Sequence, residues 1–287
     1  MKPRVRPKRP KIFSRSKIAR SRQAYQDDLL EDDQEELVVR PRNKAIYLLP
    51  NAFTTGALFF GFFAIVQAMN QHWEIASMAI FCSLILDGMD GRVARMTHTQ
   101  SAFGEQYDSL ADMVSFGVAP ALVAYEWVLK GLGKWGWVAA FIYCAGAALR
   151  LARFNISTGV IDKRFFQGLP SPAAASIVAG FVWLAEDNHL PVSDAAIPWT
   201  MFCITVYAGI TMVSNAKFYS GKALDIRYKV SFGVMVFVIL GLVLMSTYPP
   251  LTIFCFFLVY ALSGYVLWIW EYFKAFNHNK ISSKLEK

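Results

Sequence analysis

Four aspartates stand between apolar segments of the chain, and this arrangement constrains the fold more than any other feature. One apolar run covers residues 76–86 and leads into the first pair of acids, and another covers residues 113–127 and follows the second pair. An aspartate at the centre of a membrane helix costs ~2.5–3.5 kcal/mol on insertion scales, so ionisable groups at such places indicate a functional site. The four residues are Asp87, Asp90, Asp108 and Asp112.

The spacing of these aspartates places them on two helix faces. Residues at i, i+3, i+4, i+7 and i+8 share one face of a helix, and so do residues at i, i+4 and i+8. The first face consists of Asp87, Asp90, Gly91, Ala94 and Arg95, and the second consists of Gly104, Asp108 and Asp112. Two facing helices would therefore present four carboxylates to each other, with small residues where the backbones approach closely.

Four like charges need cations if they are to share one pocket. Ligation by oxygen alone favours the hard ions Mg²⁺ and Mn²⁺ over zinc. Carboxylates gathered around such ions usually serve phosphate chemistry, and Arg95 on the first face is suited to a phosphate of the substrate. The sequence therefore predicts a divalent-metal site for phosphate chemistry.

The same stretch resembles the signature of a known family. Residues 87–112 match the pattern D-x2-D-G-x2-A-R-x8-G-x3-D-x3-D at all eight fixed positions. This pattern is similar to that of the CDP-alcohol phosphotransferases, integral membrane enzymes that move a phosphatidyl or similar group from a CDP-linked donor to an alcohol. A chance match to eight residues at fixed spacing is very improbable.

The resemblance implies roles for the residues of the pattern. It implies two divalent ions, Mg²⁺ or Mn²⁺, at Asp87, Asp90, Asp108 and Asp112, with Asp112 as the general base. Direct attack by the alcohol is favoured, although a phosphoryl-enzyme on Asp112 stays open at this point. The residues implied in nucleotide binding are Asp87, Asp90, Gly91, Ala94, Arg95, Gly104 and Asp108.

Other segments resemble a narrower group within that family. The segments 47–56, 115–120, 150–155 and 166–172 are similar to those of bacterial integral-membrane members that use CDP-diacylglycerol and L-serine. This resemblance implies transfer of a phosphatidyl group to serine, with release of CMP. The candidate groups for the serine carboxylate or a lipid phosphate are Arg150, Arg153, Lys163 and Arg164. Another acceptor, such as glycerol 3-phosphate, choline or inositol phosphate, is the alternative within the family.

Composition predicts an all-α integral membrane protein. The chain of 287 residues is 55% hydrophobic with a mean hydropathy of +0.34, and a helical span needs ~20 apolar residues. The predicted spans, about eight transmembrane helices, cover residues 50–69, 74–95, 102–127, 135–153, 171–186, 195–214, 229–247 and 250–272. A cation-coupled transporter is the rival from another class, but it would carry its acids near the membrane midplane and show an internal repeat.

Basic residues predict how the spans are oriented. If the N-terminus is cytoplasmic, 27 of the 29 Lys and Arg residues fall on the cytoplasmic side, and only Lys130 and Lys134 fall on the other. Such an asymmetry follows the positive-inside rule. We therefore expect a multi-pass protein of the bacterial inner (cytoplasmic) membrane, with both termini and the active site on the cytoplasmic side.

The ends of the chain predict polar tails. Residues 1–22 carry ten Lys or Arg without an acid, and residues 27–36 carry seven Asp or Glu, a pattern typical of disordered segments. For the basic arm, attraction to anionic lipid is a simpler role than nucleic-acid binding, so no nucleic-acid partner is expected. The predicted organisation is a disordered cytoplasmic tail over 1–40, the membrane domain over 41–275 and a basic tail over 276–287.

Three further local features of the sequence predict structure. Residues 40–49 are basic and then apolar, which favours an interfacial helix before the first span. The four cysteines fall inside apolar runs without a C-x-x-C pair, which indicates small core residues. The small residues 145–148 favour close helix packing, and with the family resemblance they lead us to expect a homodimer.

Overall fold

The described part of the chain is almost entirely helical. The computed structural model describes residues 44–97, 99, 101–157, 165–187, 195–219 and 232–266. Its contacts divide the chain into Met1–Ile46 and Tyr47–Lys287. The tails predicted over 1–40 and 276–287 lie outside the described residues.

Eight helical stretches follow one another along the described chain. The third combines the α-helix Ala102–Asp112, a π-helical turn over Met113–Val118 and the α-helix Ala119–Trp127. The helices are α1 (Lys44–Met69), α2 (Trp73–Thr97), α3 (Ala102–Asp112), α4 (Ala119–Trp127), α5 (Lys134–Ser157), α6 (Ser171–Glu186), α7 (Ile197–Val213), α8 (Phe232–Thr247) and α9 (Pro249–Val266). Two three-residue strands, β1 (Phe165–Gln167) and β2 (Lys217–Tyr219), pair antiparallel with Phe166 opposite Phe218.

Each predicted span corresponds to one of these helical stretches, to within a few residues where both ends are described. Residues 44–49, the described part of the predicted interfacial helix, are helical and continue into the first span, because α1 runs from Lys44 to Met69 and contains Pro50. Their position at the membrane interface stays a prediction. Membrane helices tolerate an internal proline when neighbouring groups satisfy the freed backbone. Residues 40–43, 229–231 and 267–272 of the predicted segments lie outside the described residues.

The protein is an all-α integral membrane protein. Within the described residues, three helices are long and apolar enough to cross a membrane, namely Leu49–Met69, Lys134–Ile156 and Pro249–Val266, and three shorter apolar helices accompany them. Along α8, apolar side chains stay exposed on every side, for example Phe237 at 76% and Leu242 at 61%. A helix that is apolar all round needs a hydrocarbon environment, which the bilayer supplies here.

The core is built around α6. Residues 173–182 of this helix are all buried, and they pack against α2, α4 and α7. Next to it, α5 and α7 meet at backbone contact, because a Cβ on Gly146 would overlap the carbonyl of Gly209. Gly146 and Ala147 are therefore buried inside the protomer, so the small residues that favoured a dimer are largely used in packing α5 against its own chain.

The cysteines differ from the sequence prediction. Cys82, Cys203 and Cys255 are exposed on the surfaces of their helices and Cys144 is half-buried, so the expectation of four core residues is wrong. The reason is that a lipid-facing position is as apolar as a core position. Hydropathy along the chain does not distinguish the two environments.

Candidate metal and nucleotide site

Two neighbouring helices bring the aspartates together. Asp87 and Asp90 come from the C-terminal part of α2, and Asp108 comes from α3. One carboxylate oxygen from each of these three residues lies within 4.8 Å of the other two. The facing arrangement inferred from the spacing is therefore present in the structure, while the roles of the residues stay predictions.

The start of α3 explains how the second pair of acids is positioned. Ser101 is the N-cap of this helix, and its hydroxyl accepts a hydrogen bond from the Gly104 backbone N–H at 3.0 Å. An N-cap of this kind satisfies one of the free amides at the helix end. Only four residues separate Thr97 from Ala102, so the connection between α2 and α3 is short.

Asp112 occupies the last position of α3, beside Asp87. The two carboxyl groups lie within hydrogen-bonding range of each other, and the guanidinium of Arg150 acts on both. The π-helical turn begins at the next residue, and such turns occur frequently at functional sites. Asp87 and Asp112 therefore both lie within electrostatic reach of a cation from α5.

Hydrogen bonds with two helices, α1 and α5, fix the π-helical turn. The Tyr143 hydroxyl of α5 donates to the Phe116 carbonyl at 2.9 Å, and the Ser115 hydroxyl donates to the Ala57 carbonyl of α1 at 3.1 Å. At Gly61, a Cβ would lie only 2.7 Å from the Ser115 Cα, so glycine is needed for α1 to approach the turn. This packing sets where α1 lies relative to the aspartates.

The carboxylate cluster fits a hard divalent cation. The Asp108 Oδ1 atom is buried and has no hydrogen-bond partner among the described residues. A buried carboxylate oxygen without a donor is costly, and a bound cation would supply the missing partner. Because the donor set consists of carboxylate oxygens, it fits Mg²⁺ or Mn²⁺ better than zinc.

A cleft next to the cluster is open enough for part of a substrate. On the α2 and α3 sides its walls include the small residues Gly91, Ala94 and Gly104, and at Gly91 the nearest atom to an added Cβ is Arg95 Nη1 at 3.6 Å. At Gly104 an added Cβ would already crowd the Ser101 Oγ at 3.1 Å. The lining residues are Pro50, Asn51, Thr54, Asp90, Gly91, Ala94, Arg95, Thr99, Ser101, Gly104, Glu105 and Asp108.

The four basic candidates do not form one group. Arg150 donates a hydrogen bond from Nη1 to the Ser171 Oγ at 2.7 Å. Its positive charge interacts electrostatically with Asp87 and Asp112. Arg153 donates from Nη1 to the Asn215 Oδ1 at 3.2 Å instead. Lys163 and Arg164 lie outside the described residues. Of the two described arginines, Arg150 is the one that faces the aspartates.

Several uncharged residues of the site were not singled out from the sequence. Thr54 and Asn51 of α1 line the cleft, and Ser171 and Asn215 hold the two arginines. The segments 47–56 and 166–172 resemble segments of the family, but nothing in their sequence indicated which of their residues contacts the aspartates or arginines of the site. Asn215 carried no sequence signal at all, because a lone amide after an apolar run has no characteristic pattern.

Fold and site together define an all-α membrane protein with a carboxylate cluster suited to divalent ions and phosphate chemistry. The sequence model of the CDP-alcohol phosphatidyltransferases matches residues 47–211. This match covers more than half of the chain and includes all four aspartates. The chain belongs to the CDP-alcohol phosphatidyltransferase family.

Relatives from distant organisms share one name. A protein of Helicobacter pylori is 37% identical over 236 residues, which cover 82% of this chain and 97% of the relative. A protein of Mycobacterium leprae is 40% identical over 50% of this chain and 51% of its own length, and one of Saccharomyces cerevisiae is 34% identical over 44% and 50%. Each is named CDP-diacylglycerol–serine O-phosphatidyltransferase.

Proposed function

We propose that this protein transfers the phosphatidyl group of CDP-diacylglycerol to the hydroxyl of L-serine, giving phosphatidylserine and CMP. The observation that carries the proposal is the similarity to the Helicobacter pylori relative, which extends over 97% of that protein. The carboxylate cluster supports it independently, since phosphoryl transfer depends on positioning and on neutralisation of charge. A cation-coupled transporter is disfavoured by the membership in a transferase family.

In this reaction Asp112 acts as the general base. It accepts the proton of the serine hydroxyl while the hydroxyl oxygen bonds to the phosphorus that carries diacylglycerol, and the bond from this phosphorus to the CMP oxygen breaks. Asp112 is suited to the role because it lies at the end of the cluster, beside Asp87 and Arg150. Attack is direct in this scheme, since a nucleophilic Asp112 would need a further base.

The other aspartates serve as metal ligands in the proposal. Asp87, Asp90 and Asp108, with Asp112 at the same site, would hold two ions, Mg²⁺ or Mn²⁺, and the ions would neutralise the pyrophosphate and the charge that develops on CMP. The small residues of the cleft leave room for the nucleotide, and Arg95 at its rim is available for a phosphate. A direct measurement of metal binding tests the assignment of the metal ligands, and competition by a nucleotide tests the assignment of the nucleotide-binding residues.

Arg150 is the proposed contact for the serine carboxylate. Its guanidinium has planar paired donors that match a carboxylate, and the bond to Ser171 holds it near the base. A serine bound there would bring its hydroxyl towards Asp112. Arg153, held by Asn215, is assigned a lesser share, and Lys163 and Arg164 stay candidates from the sequence.

The setting of the enzyme is also part of the proposal. We place the site on the cytoplasmic face of a bacterial inner membrane, with both termini cytoplasmic, on the strength of the positive-inside asymmetry. We also propose that the membrane domain covers residues 41–275 and that the protein forms a homodimer. A dimer would need a surface other than Gly146 and Ala147, which are buried in the protomer, and cross-linking in native membranes tests it.

The deciding experiment compares acceptors. Membranes that contain the protein and CDP-diacylglycerol are supplied in parallel with radiolabelled serine, glycerol 3-phosphate, choline and inositol. The expected result is labelled phospholipid from serine alone, together with release of CMP. Product from another alcohol and none from serine would leave the family membership intact and overturn the proposed acceptor.

A further inference from the structure

A threonine of α1 contacts one of the aspartates of the cluster from a third helix. The Thr54 hydroxyl donates to the Asp90 Oδ2 atom at 2.9 Å. Both side chains are buried, with 4% of Thr54 and 6% of Asp90 exposed. We propose that Thr54 is a positioning residue of the divalent-metal site, which fixes the Asp90 carboxylate in the orientation that binds the ion. This inference rests on the proposed function of the cluster.

The hydroxyl of Thr54 has two acceptors within reach and only one proton. The Pro50 carbonyl lies 3.2 Å away, compared with 2.9 Å for the Asp90 carboxylate. A hydrogen bond to an ionised acceptor is roughly twice as strong as one to a neutral acceptor. Distance and charge therefore both direct the proton to Asp90.

The helix itself holds the donor in place. A β-branched side chain has few allowed χ1 rotamers in a helix, and threonine favours those in which Oγ1 approaches the carbonyl one turn earlier. Thr54 adopts this arrangement over Pro50, so its Oγ1 is fixed by α1 rather than by the aspartate. The Asp90 carboxylate is thus held by a donor that has little freedom of its own.

The hydrogen bond from Thr54 to Oδ2 limits the orientations that the Asp90 carboxylate can adopt. With Oδ2 bonded to Thr54, rotation of the Asp90 carboxylate about its last torsion is restricted, so its remaining lone pairs keep one direction. Asp90 shares the cluster with Asp87 and Asp108, whose oxygens lie within 4.8 Å. Loss of a partner that orients a metal ligand typically costs 10- to 100-fold in metal affinity.

Thr55, the residue that follows Thr54, provides a matched control. The Thr55 hydroxyl donates to the Asn51 carbonyl at 2.7 Å, so it bonds one turn back as Thr54 does. Its other partner is the Tyr107 hydroxyl at 2.9 Å, and no aspartate is involved. Thr55→Val therefore removes the same chemical group from the same turn of α1 without changing the donor on Asp90.

The experiment measures binding of Mn²⁺ alone to the full chain purified in detergent, with free Mn²⁺ followed by electron paramagnetic resonance. We expect Thr54→Val to raise the Mn²⁺ dissociation constant about 10- to 100-fold. Thr55→Val should leave it near the wild-type value. Thr54→Ser keeps the donor and loses only the rotamer restriction, so its affinity should lie between those of wild type and Thr54→Val.

The activity assay adds a second readout. In Thr54→Val the metal concentration needed for half-maximal activity should rise by the same factor, while kcat at saturating Mn²⁺ should change much less. Wild-type affinity in both Thr54 variants would overturn the inference, as would an equal loss in Thr54→Val and Thr55→Val. If Thr54→Val does not fold, Thr54→Ala removes the same hydroxyl, and wild-type Mn²⁺ binding in that variant would overturn the inference. Absence of Mn²⁺ binding in the wild type would instead overturn the proposed metal site itself.

Discussion

Replacement of Arg150 by alanine tests the acceptor site most directly. The guanidinium donates to Ser171 at 2.7 Å and faces Asp87 and Asp112, so it is oriented before a substrate binds. A hydrogen bond between charged groups contributes ~1.5–3 kcal/mol, which corresponds to a rise of about 10- to 150-fold in the KM for serine. The KM for CDP-diacylglycerol should change little, because the lipid does not depend on this contact in the proposed scheme.

Two further variants, Ser171→Ala and Arg153→Ala, should raise the KM for serine less than Arg150→Ala does. Ser171→Ala removes only the partner that orients the guanidinium, and loss of a neutral hydrogen-bonding partner at ~0.5–1.5 kcal/mol predicts a rise of about 2- to 12-fold in the KM for serine. Arg153→Ala removes an arginine that is bonded to Asn215, so it should have the smaller effect of the two arginine variants. Initial rates at saturating Mn²⁺, with each substrate varied in turn, measure all three.

The pattern of the two KM values decides between the possible ligands of Arg150. An unchanged KM for serine together with a raised KM for CDP-diacylglycerol would assign Arg150 to a lipid phosphate and refute its assignment to the acceptor. A larger rise in the KM for serine in Arg153→Ala than in Arg150→Ala would contradict the inference that Arg150, and not Arg153, is directed towards the aspartates. Arg150→Lys provides the charge control, since it keeps the positive charge and loses the paired donors.

The remaining predictions concern the metal, the base and the packing of the helices. EDTA should abolish turnover and added Mg²⁺ or Mn²⁺ should restore it, while full activity in chelator would contradict the metal site. Asp112→Asn should abolish turnover and leave CDP-diacylglycerol binding measurable, so retained turnover would refute the assignment of the base. Gly146→Val should lower the thermal unfolding midpoint in detergent because its side chain would overlap the Gly209 backbone, at a cost of about 1–3 kcal/mol or more. Gly241→Val is the matched control, since an added Cβ there meets no atom within 4 Å.

The sequence by itself determined the membrane helices and the two faces of the acidic cluster. Long apolar runs specify helices in a bilayer because every backbone polar group must be satisfied within the segment. The fixed spacing of Asp87, Asp90, Asp108 and Asp112 then sets which residues share a helix face, since the α-helical repeat leaves no choice. The family also followed from this stretch, because its eight fixed residues are local in the chain.

Only the tertiary structure decided which groups from other helices meet those faces. The contact of Thr54 with Asp90 depends on how closely α1 approaches, and the difference between Arg150 and Arg153 depends on where Ser171 and Asn215 lie. Hydrogen bonds of uncharged side chains across helices leave no periodic pattern in the sequence. The exposure of the cysteines escaped prediction for a related reason: lipid outside the protein is as apolar as the core inside it, so hydropathy specifies that a helix lies in the membrane but not which of its faces packs against another helix.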